Sequence, residues 1–255
     1  MTALAIDRLG VEIGSVPVCH ELSVKFEPGQ VWSILGPNGV GKTTLLRTLA
    51  GLHRPYAGAV RLNERIISDV PRRLRARQLG ILFQQHTDVF PLTVIETVLT
   101  GRHPWCSPLQ GETASDLKRV RHILADVGLE NCHDRNVLSL SGGERRRVDL
   151  AALAAQDPQV FLLDEPSNHL DLRHQLTMFA EMVRRWQVAD RLVVMVLHDV
   201  NLALRLSDHL LFLYGAGQCS FGTTRDMATE DKLSKLYDQP MQHCRVGQRD
   251  LFFAL

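Results

Sequence analysis

Residues 36–43, Gly36-Pro37-Asn38-Gly39-Val40-Gly41-Lys42-Thr43, match the pattern G-x-x-x-x-G-K-[ST]. They stand between an apolar stretch that reads as a strand, Val-Trp-Ser-Ile-Leu at 31–35, and a helix-like stretch, Thr-Leu-Leu-Arg-Thr-Leu-Ala at 44–50. A strand feeding a glycine-rich turn into a helix start aims free backbone N–H groups and the positive end of the helix dipole at one point. The glycines let the main chain wrap round phosphate oxygens. Lys42 can then reach the terminal phosphates, and Thr43 can offer its hydroxyl to Mg²⁺. A chain built this way binds a nucleoside triphosphate.

The flanking pattern indicates an α/β protein. Apolar strands are expected at 80–83, 160–163 and 192–197, with helical periodicity at Val120, Ile123, Leu124 and Val127 and again from Val148 to Ala155. Gly128 and Asp157-Pro158 close those two helices, and Ser141 opens the second. A third helix is expected over 172–187. Strands alternating with helices of this length imply a mostly parallel sheet covered on both faces. Residues 1–30 read as short strands, 210–222 as a hairpin, and the last residues as a short helix and a small pair of strands.

The segment 160–165, Val-Phe-Leu-Leu-Asp-Glu, is an apolar strand ending in two acids. Asp164 can hold Mg²⁺ through its water shell, and Glu165 can polarise the attacking water as a general base. Leu140-Ser141-Gly142-Gly143-Glu144 places a serine and two glycines at a helix start, a second anion-binding construction that makes sense if it caps the γ-phosphate of a partner's nucleotide. His198 directly follows an apolar strand, at the end where ligands gather in open α/β sheets. Gln84 sits likewise and could be a further Mg²⁺ or water ligand.

Bulk properties restrict the setting. With 255 residues, 45% of them hydrophobic, the chain can bury one large core. A net charge of +1 points to neither nucleic acid nor an anionic surface. The basic run Arg72-Arg73-Leu74-Arg75-Ala76-Arg77 reads as a solvated helix face. Five cysteines with no C-x-x-C spacing suggest reduced thiols in a cytosolic protein. The first residues lack a signal-peptide pattern, and no apolar stretch approaches the ~20 residues needed to cross a bilayer, so work at a membrane would require a partner.

Taken in order, these motifs resemble those of the nucleotide-binding subunit of ABC transporters over essentially the whole chain. They are the P-loop at 36–43, Gln84 of the Q-loop, the signature at 140–144, Walker B at 160–165, the D-loop Asn168-His169-Leu170-Asp171 and the switch His198. The resemblance implies a P-loop NTPase core with a mostly parallel sheet, an N-terminal antiparallel β subdomain and an inserted α-helical subdomain. The single domain of 1–255 would divide into a core of 1–85 and 157–255 and a helical signature unit of 86–156. It implies a head-to-tail homodimer that sandwiches ATP and Mg²⁺ between one P-loop, with Thr44, and the partner's Ser141, Gly142 and Gly143. Thr43, Gln84 and Asp164 would serve the metal, Glu165 would activate water, and His198 would contact the γ-phosphate. Gln84 would link the metal to the membrane partner, and Asp171 would help couple the two sites.

Two departures matter. Glu144 stands where glutamine is commonest, a tolerated change because that side chain lies off the phosphate. Ile13 stands where an aromatic commonly stacks on adenine and offers only an apolar contact, so ATP is expected with GTP use left open. Val98-Leu99-Thr100-Gly101-Arg102-His103-Pro104, after Gln84-Gln85-His86, resembles the subfamily energising uptake of iron-siderophores, haem and cobalamin. So does the brief tail around Leu236-Tyr237 and Pro240-Met241. The implied partners are permease subunits at the cytoplasmic face of the inner membrane and, indirectly, a substrate-binding protein, with no nucleic acid. Residues 85–102 are expected to form the groove for a permease helix, with Phe90, Leu92 and Val94 as apolar contacts. An importer subunit for another solute, such as molybdate or zinc, is the alternative, as is a soluble ABC ATPase. Against the soluble types stand a single cassette, no long coiled coil between P-loop and signature, and no zinc cysteines.

Overall fold

The computed structural model describes residues 4–84, 91–107, 111–247 and 249–255. It opens with two long antiparallel strands, β1 (Leu4–Ile13) and β2 (Val16–Phe26), turning at Gly14, whose φ of 61° favours glycine. Then come β3 (Val31–Leu35), α1 (Lys42–Leu49), β4 (Ala57–Leu62), β5 (Arg65–Ile66), α2 (Arg72–Gln78) and β6 (Leu79–Leu82). Helices α3 (Val94–Leu99), α4 (Ala114–Asp126) and α5 (Gly142–Gln156) precede β7 (Val160–Asp164). After α6 (Leu172–His174), α7 (Ala180–Val188), β8 (Leu192–Val196) and α8 (Val200–Leu206) come β9 (His209–Gly215) and β10 (Gln218–Thr223). The chain closes with α9 (Thr224–Met227), α10 (Glu230–Tyr237) and the hairpin β11 (Met241–Val246) and β12 (Arg249–Ala254).

The central sheet has the order β10-β9-β3-β8-β7-β6, parallel from β9 to β6 with β10 added antiparallel at the edge. Its inner strands are near-continuous apolar runs because both faces are covered. The two-residue period sorts them. Val31, Leu35, Phe161, Leu163, Val193, Met195, Leu210 and Phe212 enter one core with the buried residues of α3, α4, α5 and α10. Trp32, Ile34, Val160, Leu162, Val194 and Leu211 enter another with α1 and the antiparallel sheet β2-β1-β4-β5. Each such side chain contributes roughly 1.5–3 kcal/mol of burial. The fold class is therefore the one expected from the motifs.

Local signals account for most element ends. Thr93, Thr113 and Ser141 cap α3, α4 and α5, each with an acid three residues on that returns a bond to the cap backbone. After α4, Gly128 takes φ 66° and the Leu129 amide reaches back to the Leu124 carbonyl at 2.8 Å, which seats both leucines in the core. Two local expectations need correction. The helix expected over 172–187 is interrupted by a π-helical stretch, Gln175–Phe179, where the Thr177 hydroxyl donates to the Arg173 carbonyl and competes with the regular ladder. The basic run in α2 is more than a solvated face. Arg73 and Arg77 donate to the Pro104 carbonyl, at 3.1 and 2.8 Å, and Arg75 reaches the carbonyls of Gly51 and Ile67.

Candidate functional site

The C-terminal ends of β3, β7 and β8 meet the turn after β6 around one cleft of about 680 Å³. Ile13, Asn38, Gly39, Gly41, Lys42, Thr43, Thr44, Gln84, Glu165, Asn168 and His198 line it. The loop 36–41 turns tightly because Gly39 and Gly41 take φ of 76° and 104°. A Cβ on Gly41 would stand 2.4 Å from a Val18 methyl, so β2 also demands glycine there. The Lys42 ammonium donates to the carbonyls of Gly36 and Pro37 at 2.7 and 2.9 Å. Burial pulls its pKa down, against the pull of Glu165 and Asp164. Val40 turns away from the cleft and packs beside Gly36 and Gly215.

Asp164 ends β7 with its side chain buried, and the Thr43 hydroxyl donates to it at 3.2 Å. Burial raises its pKa, which the Thr43 bond opposes. Glu165 stands at the hub of the cleft, with a left-handed φ of 48°. One carboxylate oxygen accepts from the Gln84 amide at 2.8 Å and from the Asn168 amide. The other lies 2.5 Å from the His198 ring nitrogen Nε2. The Glu165 amide donates to the Val196 carbonyl at 3.1 Å, which ties this residue to the end of β8. Two acids, a hydroxyl, an amide and an imidazole thus converge beside the loop and ammonium that would hold a triphosphate.

The signature residues lie elsewhere on the chain. Ser141, Gly142 and Gly143 are not among the residues lining this cleft. A Cβ on Gly143 would meet the His169 carbonyl at 2.9 Å, so the start of α5 abuts the loop after Glu165. The Ser141 hydroxyl donates to Glu144 at 2.9 Å, while Arg135 pairs with the other Glu144 oxygen at 2.9 Å. Asp171 caps α6, accepting from the His174 amide at 2.8 Å. Each chain therefore presents a P-loop cleft and, apart from it, a glycine-bearing helix start.

Residues 19–168 match the ABC transporter family. The chain belongs to that family. The hemin import ATP-binding protein of Gloeobacter violaceus is 39% identical over 249 residues, covering 94% of this chain and 90% of the relative. The petrobactin import ATP-binding protein of Bacillus anthracis is 32% identical, covering 98% and 90%. Among solved structures, a chain of an inward-facing transporter assigned to the metal-chelate ABC type superposes with a TM-score of 0.86 at 26% identity. That match covers 100% of this chain and 98% of the other. ATP binding and transport-coupled ATPase activity come with the family, as does work alongside membrane permease components. Among the described residues of this ABC subunit, no helix is long and apolar enough to cross a membrane.

The structure adds two residues that motif reading passed over. Asn168 was legible only as part of the D-loop, yet its side chain bonds Glu165. Arg146 looked like one member of a charged triplet, Arg145-Arg146-Arg147, with nothing in the sequence to mark it. It is 4% exposed and donates to the carbonyls of Phe83, Asp164, Glu165 and Pro166. A third expectation is corrected in this ABC subunit. Val94, taken as a surface contact for a permease helix, is fully buried in the core. Thr93 caps α3, and the first turn points Val94 inward. Leu92 is half-buried with its carbonyl accepting from the Val137 amide at 3.0 Å, and Phe90 lies outside the described residues.

Proposed function

We propose that the chain hydrolyses ATP within a head-to-tail homodimer to drive import of a metal chelate through a separate permease. The observation that supports the cargo class is near full-length likeness to ATP-binding proteins named for import of hemin, petrobactin and iron(3+)-hydroxamate. By the same reading the chain works at the cytoplasmic face of the membrane, with a substrate-binding protein on the far side supplying cargo.

The donors available for Mg²⁺ are hard oxygens, the Thr43 hydroxyl, the Asp164 carboxylate and the Gln84 amide carbonyl, which suits an ion that keeps waters and phosphate oxygens as its other ligands. When bound, Mg²⁺ would neutralise charge developing on the β- and γ-phosphates. The backbone amides of 36–44 and Lys42 hold the phosphates. Glu165 takes a proton from the attacking water, and its bonds to Gln84, Asn168 and His198 hold the carboxylate in place for that transfer. His198, on the rim of the cleft, reaches the γ-phosphate. Residues 86–156 form the unit that carries Ser141, Gly142 and Gly143 to the nucleotide of the second chain, and Asp171 lies at the junction between the two sites.

The test is reconstitution of the full chain with its permease in vesicles, with ATP inside the compartment facing the ATPase. ATP-dependent uptake of a ferric siderophore or haem, abolished by Glu165→Gln, is expected. ATP-driven uptake of molybdate or zinc instead would overturn the cargo reading and leave the ATPase intact.

A further inference from the structure

Arg146 lies where three pieces of backbone meet. From α5 its Nε donates to the Pro166 carbonyl at 3.2 Å, Nη1 to Phe83 at 2.7 Å, and Nη2 to Asp164 and Glu165 at 2.7 and 2.8 Å. Asp149, on the same helix, stands 3.9 Å from Nη1. A buried cation is costly unless its hydrogens are satisfied, and here the planar fork meets carbonyls from two different loops. Burial lowers the pKa of this guanidinium, while Asp149, Asp164 and Glu165 favour its charge.

What the fork fixes bears directly on the cleft. Phe83 precedes Gln84, so one side chain pins the backbone of both partners in the 2.8 Å Gln84–Glu165 bond. Glu165 holds a left-handed backbone that a non-glycine residue adopts only under constraint. Its amide is tied to Val196 and its carbonyl to Arg146. Both flanking peptide groups are thus held, one by the sheet and one by the helix that begins at Ser141.

We propose that Arg146 is a positioning residue for hydrolysis. It sets where the Glu165 carboxylate and the Gln84 amide stand without itself touching the nucleotide. The proposal rests on the reading of Glu165 as the general base. Lysine keeps the charge but offers three donors from one point, which cannot span carbonyls on two loops. Glutamine keeps a short donor and loses the charge.

The experiment compares the full chain with its Arg146→Lys and Arg146→Gln variants, and with Arg75→Met as a control. Arg75 likewise donates to backbone carbonyls, those of Gly51 and Ile67, but away from the cleft. Melting temperature, affinity for a fluorescent ATP analogue, kcat, KM and amide exchange over 164–168 are measured on each. In the Arg146 variants kcat should fall about 10- to 100-fold, the scale of a misplaced catalytic group. KM and analogue affinity should stay within about twofold. Exchange should quicken over 164–168 and not along β8. Arg75→Met should melt earlier while keeping its kcat per folded molecule.

A double-variant cycle separates this proposal from the reading beneath it. If Arg146 acts through Glu165, then Arg146→Lys costs little more in a Glu165→Gln background, and a full additive loss overturns the positioning role. Parent-like kcat per folded molecule in both Arg146 variants, with Glu165→Gln inactive, also overturns it and leaves the base standing. Near-normal turnover in Glu165→Gln would sink the base reading instead. Should one Arg146 variant fail to fold, the other is read by the same criteria.

Discussion

At Gly41 two independent constraints fall on one atom. The φ of 104° disfavours any side chain, and the space for a Cβ is taken by Val18 from β2. Gly41→Ala should therefore cost about 1–3 kcal/mol of stability and move the loop off the phosphates. A lower urea midpoint with at least tenfold weaker nucleotide binding is the expected result, and unchanged binding would mean the loop has room to relax. Ile13 gives a gentler case. It lines the cleft with 45% of its surface exposed, offering an apolar edge where a ring could stack. An aromatic there adds roughly 0.5–1.5 kcal/mol of ring contact, so Ile13→Tyr should tighten ATP binding about 2- to 10-fold. Competition between ATP and GTP for a fluorescent analogue reads out both affinity and base preference. Glu144 shows why a motif letter can change at little cost. Its carboxylate closes the capping box of α5 and pairs with Arg135, both roles within the chain.

Element by element, the helices between β6 and β7 are held partly by a charge pair set between them. Asp116 completes the cap of α4 and receives Arg102 at 2.7 Å. The Thr113 hydroxyl bond, then Arg102, holds its carboxyl well down, from 3.8 to about 2. A depressed carboxylate stabilises the folded chain fully above its unfolded value of 3.8, and that contribution is lost as pH falls toward about 2. Asp116→Asn should accordingly be less stable than the parent at neutral pH. The gap between their urea midpoints should close across that acid window, and a constant gap would assign the loss to packing. Nearby, Trp105 donates its indole N–H to the Gln156 carbonyl at 2.7 Å and lies under Arg77 and Arg102. Together with the Arg73 and Arg77 bonds to Pro104, this joins α2 to the end of α5.

For the whole molecule, the separation of the signature from its own cleft carries the prediction. If Ser141 serves the nucleotide of a second chain, then Glu165→Gln with Mg-ATP should shift from 28.7 kDa to twice that mass in light scattering. Adding Ser141→Arg should hold it at the monomer mass while leaving analogue binding within about twofold. A dimer that survives Ser141→Arg would place the contact elsewhere. The class of fold and most of the cleft were legible from the order of residues, because the P-loop, the strand ending in Asp164-Glu165, Gln84 and His198 depend on local turn chemistry and strand ends. The helix start at Ser141 was likewise local, since a cap needs only neighbours three residues away. Tertiary structure alone decided that Val94 faces inward, that Arg73, Arg75 and Arg77 bind carbonyls, and that Arg146 grips the backbone beside Glu165. An arginine reads as solvated from its neighbours in sequence, and only the packing of distant loops supplies the carbonyls that make its burial favourable.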